Sequence, residues 1–168
     1  MNQKSKKPNN FAFIDSQNLN LGTQRMGWKL DWRKFRKYLR DKHNVGTAYM
    51  FIGYMSDNEA LYEYMHELGF LVVLKPTIDI SSNSQKDDGK SKPGEEKEKE
   101  KPIIKGNVDA ELVLYALKEM PNYDKAIIVS GDGDFFSLAE YLEEQGRLEH
   151  ILTPNWQYST LLKVFEEK

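Results

Sequence analysis

Apolar residues fall in two patterns along this chain, short continuous runs and longer stretches with helical spacing. Phe11 to Ile14 is the first run, and its aromatic and β-branched members predict a buried strand. Asp31 to Lys42 predicts a helix with Trp32, Phe35 and Leu39 on its inner face. Gly46 to Tyr54 predicts a second strand. Asp57 or Asn58 then caps a helix striped by Leu61, Tyr64, Met65 and Leu68 and ended by Gly69. Phe70 to Leu74 predicts a third strand. Val108 to Met120 predicts a helix that stops before Pro121, and Lys125 to Ser130, with Ala-Ile-Ile-Val at its centre, a fourth strand. Phe135, Leu138, Ala139 and Leu142 mark a further helix closed by Gly146. Leu148 to Leu152 predicts a fifth strand and Trp156 to Phe165 a last helix.

Strands that are apolar throughout and alternate with helices imply a parallel sheet covered on both faces. Right-handed crossovers then favour an α/β fold, a three-layer α/β/α Rossmann-like sandwich of about five strands in the order 3-2-1-4-5. In such a sheet the site lies beyond the carboxyl ends of the strands, at the switch point between strands 1 and 4.

Composition interrupts this pattern once. Residues 81–101 contain no apolar side chain, so they cannot offset their ordering entropy by burial and are expected to be a disordered insertion. Residues 1–10 are polar and basic, with Lys4, Lys6 and Lys7, and are expected to form a flexible arm rather than a signal peptide. The remainder of the 168 residues makes one domain. The net charge of -2 gives no global attraction to polyanions, so any such binding needs a local patch. The absence of cysteine excludes disulfides, thiolate catalysis and cysteine-based zinc sites. No apolar run approaches a membrane span, and the expected location is the cytoplasm.

The chemistry is carried by carboxylates. Asp15 follows the first strand directly, and Gly131-Asp132-Gly133-Asp134 follows the fourth. In the expected strand order these two ends are neighbours, so Asp15, Asp132 and Asp134 share one crevice. The glycines are expected to let the backbone turn sharply and to leave room for a ligand. Asp109 lies on a helix face with Leu112, Val113, Ala116 and Met120, where a carboxylate needs a partner or a metal. Glu111 is expected on the opposite, solvent side. Each position also has a structural use: Asp15 in an Asx turn, Gly-Asp-Gly-Asp in a turn and helix cap, Asp109 as a first-turn helix charge.

Two carboxylates at about 5 Å repel by roughly 3 kcal/mol at an effective dielectric of about 20. A hard cation reverses that sign, and an all-oxygen set favours Mg²⁺ or Mn²⁺ over zinc. Such an ion can activate water and stabilise charge on a phosphoryl oxygen, so phosphodiester hydrolysis is the reaction that fits best.

Other motifs fail. Gly131-x-Gly133 opens a helix after a strand, but Phe136 stands where a dinucleotide loop has its third glycine, and paired aspartates repel a pyrophosphate. An EF-hand needs an oxygen ligand at Phe136, and His66-Glu67 lacks the second histidine of a zinc-protease helix. A haloacid-dehalogenase type of phosphatase needs an Asp two residues after the first, where Gln17 stands.

Phe13-Ile14-Asp15-Ser-Gln-Asn18-Leu19, Lys105-Gly106-Asn-Val-Asp109 and Ile128-Val129-Ser130-Gly131-Asp132-Gly133-Asp134-Phe135 resemble the motifs of the NYN domains of the PIN-like nuclease superfamily. The resemblance covers nearly the whole chain apart from residues 81–101. It implies a PIN-like fold and Mg²⁺- or Mn²⁺-dependent cleavage of RNA. The acidic positions it implies are Asp15, Asp109, Asp132 and Asp134, with Asn18 and Ser130 in support. Many members carry another Asp six residues after the helix Asp, where this chain has Tyr115.

RNA, expected to be single-stranded, therefore joins the list of partners. Lys105 lies near the acidic cluster in sequence and is expected to neutralise a carboxylate or touch a phosphate. Arg33, Lys37 and Arg40 share a helix face and form a candidate phosphate track leading to the site. Trp156 and Tyr158 follow the fifth strand, where aromatics are expected either to stack on unpaired bases or to pack in the core or on a helix. A non-catalytic module that binds RNA or a protein partner, including a second copy as a homodimer, is the alternative.

Overall fold

A computed structural model describes residues 7–53, 58–75 and 108–166. Its strands are β1 (Asn10–Asp15), β2 (Val45–Gly53), β3 (Phe70–Lys75), β4 (Ala126–Val129) and β5 (Leu148–Leu152). They form one sheet in the order β3-β2-β1-β4-β5, and every pairing is parallel. The helices are α1 (Ser16–Arg25), α2 (Trp32–His43), α3 (Glu59–Glu67), α4 (Asp109–Lys118) and α5 (Phe136–Glu144). The expected fold class and strand order both hold.

Alternation along the strands divides the core into two layers. Phe11, Phe13, Phe51 and Ile128 point to the face that buries Leu112 and Ala116 of α4 with Leu138, Ala139 and Leu142 of α5. Ala12, Ile14, Met50, Ile127 and Val129 point to the other face, against Leu19 of α1, Leu39 of α2 and Met65 of α3. On the first face Phe13 stacks on Tyr49 at 5.7 Å between ring centres and meets the edge of Tyr123 at 5.7 Å. These aromatic pairs add to what their buried area contributes.

Helix α2 has a local cause at both ends. Asp31 caps α2, its Oδ1 accepting from the Lys34 N–H at 3.0 Å, and Asn44 closes the helix in the left-handed region at φ 53°. Asp31→Ala is expected to cost about 1 kcal/mol, the usual worth of an exposed N-cap. Thermal unfolding should show it as a fall of about 2–4 °C.

Four expectations need correction. Helix α1 was not expected between Asp15 and Asp31. Its mean hydropathy is low and its buried residues, Leu19, Gly22 and Thr23, give only a weak apolar stripe. Its cause lies instead at its start, where Asp15 caps it. The inner face of α3 is Tyr62 and Met65, whereas Leu61 and Tyr64 are exposed. Of the expected last helix, residues 156–159 are irregular, and only Thr160–Phe165 turns, as a 3-10 helix. Asn10 is a buried strand residue rather than part of an arm, with its Nδ2 donating to the His43 carbonyl at 2.8 Å. The insertion expected over residues 81–101, the cap Asp57 and Lys105 lie outside the described residues.

Among the described residues no helix is long and apolar enough to cross a membrane.

Candidate active site

The end of β1 sets the position of the first carboxylate. Asp15 has the same parity as Phe11 and Phe13, so its side chain leaves the sheet on the α4 and α5 face. Ile14 pairs with Val129, which places Ser130 beside Asp15 on that face. The Ser130 hydroxyl donates to Asp15 Oδ2 at 3.2 Å. Oδ1 of the same carboxylate accepts from the Asn18 N–H at 3.0 Å. Asp15 thus caps α1 with one oxygen and faces the neighbouring strand with the other. It is buried, 6% exposed, which is rare for a carboxylate, and among the described residues no cationic side chain pairs with it.

The loop after β4 is tied to the same point. Asn18 Oδ1 accepts from the Gly131 N–H at 2.9 Å, and Ser130 Oγ accepts from the Asp132 N–H at 3.2 Å. Asp132 Oδ1 in turn accepts from the Asp134 N–H at 3.0 Å and caps the 3-10 turn Gly133–Phe135. The chain of bonds runs from α1 through Asp15 and Ser130 to Asp132. The turn and cap roles are therefore real, and they coexist with the acidic cluster.

Burial pushes the Asp15 carboxyl up from its ordinary 3.8. The Asn18 N–H opposes that rise, while the negative charges of Asp109 and Asp132 add to it. Asp15 thus feels two of the other three expected aspartates, one at the start of α4 and one just after β4. Asp134 is exposed, and no effect of it on Asp15 is found. Asp109 opens α4 on the shoulder of its buried face, whose centre is Leu112 and Ala116. Tyr115 lies on the other shoulder and packs edge-on against Tyr49 and Phe51 at 5.4 and 5.6 Å. The position therefore belongs to the aromatic core over β2, away from Asp109.

Glu111 is not a solvent residue. It shares the shoulder of Tyr115 and reaches the end of β3, where Lys75 Nζ lies 3.0 Å from its Oε2. The pair is about one-third exposed and is an ion pair by distance, even though that oxygen makes no hydrogen bond of good geometry. The helical wheel missed it because the sheet extends under both shoulders of α4.

The glycines also act differently from expectation. Neither Gly131 nor Gly133 has a positive φ. The space a Cβ would take is occupied by the segment after β5: Tyr158 lies 3.1 Å from such a Cβ at Gly131, and Ser159 crowds one at Gly133. Pro154 presses on Gly22 of α1 in the same way. Ser159 N–H donates to the Gly131 carbonyl at 3.0 Å and Asn155 Nδ2 to the Gly22 carbonyl at 2.8 Å. Residues 154–159 are thus a wall beside the carboxylates, with a cleft of about 110 Å³ between Asn18, Arg25, Gln157 and Tyr158. Trp156 stands on this wall, 68% exposed. The sequence hint was three glycines, one inside α1 and two in the loop after β4, without an indication of what filled their space.

Arg33, Lys37 and Arg40 are brought together on α2 but not toward the carboxylates. Their neighbour Arg36 bonds the carbonyls of Gly69, Val45 and Gly46, at the amino ends of β3 and β2. In a parallel sheet that is the end away from Asp15.

The donor set suits a hard cation in chemistry: oxygen ligands only, with a negative charge at Asp109 and Asp132 already raising the cost of ionising Asp15. Among the described residues no three carboxylate or imidazole groups lie close enough to chelate one ion. Few protein ligands with several waters is the coordination Mg²⁺ accepts most readily.

Comparison with known proteins agrees with this architecture. The NYN domain family model matches residues 11–163. The low amplitude and bright protein LabA of Synechococcus elongatus is 25% identical over 141 residues, covering 81% of this chain and 69% of LabA. The crystal structure of a Vibrio parahaemolyticus protein of unknown function superposes with a TM-score of 0.66 at 20% identity, covering 94% of this chain and 99% of that one. A match spanning all five strands, and the carboxylates that follow β1 and β4, make this chain a member of the NYN domain family, with a fold of the PIN-like nuclease type.

Proposed function

We propose that this protein is a divalent-metal-dependent ribonuclease that hydrolyses RNA phosphodiester bonds, acting as an endonuclease. The observation that carries the reading is the buried Asp15 carboxylate, held by Asn18 and Ser130 and crowded by Asp109 and Asp132. A carboxylate in that setting gains most from a cation. Asp15, Asp132 and Asp134 would hold Mg²⁺ or Mn²⁺ partly through its waters, since no three described carboxylates lie close enough to bind one ion directly, and Asp109 would hold it or orient the attacking water. The ion, when bound, lowers the pKa of a water and offsets charge on the phosphoryl oxygens. The chain's own groups do the rest. Asn18 fixes the Gly131 amide, and Ser130 fixes both Asp15 and the Asp132 amide, so the carboxylates are oriented before substrate arrives. Trp156, on the wall beside them, offers a face on which an unpaired base can stack.

Cleavage of mixed RNA and DNA with Mg²⁺ or Mn²⁺ tests the proposal. RNA is expected to be cut, with the cut lost in chelator and in Asp109→Asn. Equal activity in wild type and variant would mean a contaminating nuclease and would remove the assignment.

The second reading is a module of the same fold that binds RNA or a protein partner without cutting. The described carboxylates form no group of three able to chelate one ion, which favours it. Calorimetric titration with Mn²⁺ separates the two: binding below the millimolar range supports the nuclease, and retention of RNA without such binding supports the module.

A further inference from the structure

A hollow of about 560 Å³ opens on the outer side of α2, lined by Arg33, Lys34, Arg36, Lys37 and Arg40, with Glu67 as its one acidic wall. Positions 33, 36, 37 and 40 stand one and two turns apart and share a face of the helix. Their charges are unequally committed. Lys34 lies 3.9 Å from Asp31 and Arg40 2.8 Å from Asp41, both ion pairs exposed to solvent. Arg33 and Lys37 have no carboxylate within ion-pair distance among the described residues. Arg36 is half-buried and fixed by three backbone carbonyls at 2.7–3.3 Å. Those bonds hold its guanidinium in place, while burial and the nearby Arg40 charge both disfavour its protonated form. A fixed cation beside two unpaired ones is a site short of negative charge.

The other end of the sheet has the opposite problem. A cleft crowded with aspartates repels a polyanion, and the net charge of -2 supplies no compensating field. Affinity for RNA then has to come from a separate cationic surface. We propose that the α2 hollow is that surface: a second RNA site that binds phosphodiester groups of a strand whose cleavage takes place at the far end of the sheet. This inference rests on the ribonuclease reading. RNA fits better than a protein, because five of the seven lining residues are cationic, the character of a phosphate-binding surface, and no aromatic residue lines the hollow. The nine residues of β2 separate the two ends by about 30 Å. Only a strand long enough to span them gains from both sites at once.

The test is fluorescence anisotropy of labelled poly-uridine of about 20 nucleotides, read in chelator so that no cleavage is needed. Arg33→Gln/Lys37→Gln removes the two unpaired, exposed charges and leaves Arg36 in place. Two lost phosphate contacts should weaken binding about tenfold at low salt and reduce the salt slope of log K by about 1.4 for a single strand. Lys118→Gln, on the other face of the sheet, should leave the slope unchanged. An unchanged slope for the long strand would overturn the proposal. So would loss of poly-glutamate binding with RNA binding intact, which would assign the hollow to an acidic protein. The cleavage assay with Asp109→Asn is independent of all of these, so the nuclease reading can fail while the hollow still binds RNA.

Discussion

Asp15→Asn should lower RNA cleavage by about a thousandfold and, in chelator at neutral pH, make the protein more stable. The first effect follows from losing a charge at the centre of the acidic cluster. Metal-ion stabilisation of a phosphoryl transition state is worth several kcal/mol, and about 4 kcal/mol corresponds to a thousandfold in rate. The second follows from burial. Asn caps a helix about as well as Asp, so the bond from the Asn18 N–H is kept. What disappears is a buried charge crowded by Asp109 and Asp132. Burial raises the folded-state pKa of Asp15 above its ordinary 3.8, so the folded protein binds the proton more tightly than the unfolded chain does. The stability tied to that proton is complete below 3.8 and is lost as pH rises through the folded value. The variant does not lose it. Its advantage should be absent at the acid end of that window and full at neutral pH, a rise in Tm of about 2–4 °C per kcal/mol. Thermal unfolding of both proteins across pH in chelator checks this. A variant less stable than wild type at pH 7 would contradict the burial argument. A variant that still cuts RNA would remove Asp15 from the catalytic set.

Gly133→Ala is expected to cost about 2 kcal/mol, in the usual range for overpacking. The new methyl would stand 3.0 Å from Ser159 Cβ and 3.2 Å from Leu161 Cδ1, and harder still against Ser159 Oγ. Ser159 cannot easily yield, because its N–H donates to the Gly131 carbonyl at 3.0 Å and its Oγ accepts from the Leu161 N–H. In a domain of this size the loss amounts to about 4–8 °C in Tm. Removing the opposing side chain should recover part of it, so Gly133→Ala/Ser159→Gly is expected to be more stable than the sum of the single effects. Cleavage should fall as well, since Asp132 and Asp134 flank the altered residue. A neutral Gly133→Ala would mean that residues 154–159 do not form the wall beside the site.

Both expectations concern the same corner of the molecule, where three segments distant in sequence are locked together. Asn18 holds Gly131, Ser130 holds Asp15, and Ser159 holds Gly131 from the other side. Preorganisation of this kind fixes carboxylates whose mutual repulsion would otherwise drive them apart.

Much of this was legible in the sequence. Residue runs that are apolar at every position, such as Ala126–Val129, can only be strands covered on both faces, and their alternation with helices leaves few topologies. The strand order then placed Asp15 beside the residues after β4 without any coordinates. Helix α1 escaped because most of its surface is polar and its cause is a cap, which sequence periodicity does not register. Glu111 escaped because a helical wheel reports a face of one helix, not the width of the sheet beneath it.

The sequence by itself determined the layers, the strand order and the meeting of Asp15 with the loop after β4, because all of these follow from period and connectivity. Only the tertiary structure decided what fills the space beside them. The role of Gly131 and Gly133 depends on a segment more than 20 residues further along the chain, and the arginines of α2 turned out to face the end of the sheet away from the aspartates. Steric contact and the direction of a surface are properties of packed elements, and no local pattern of residues encodes them.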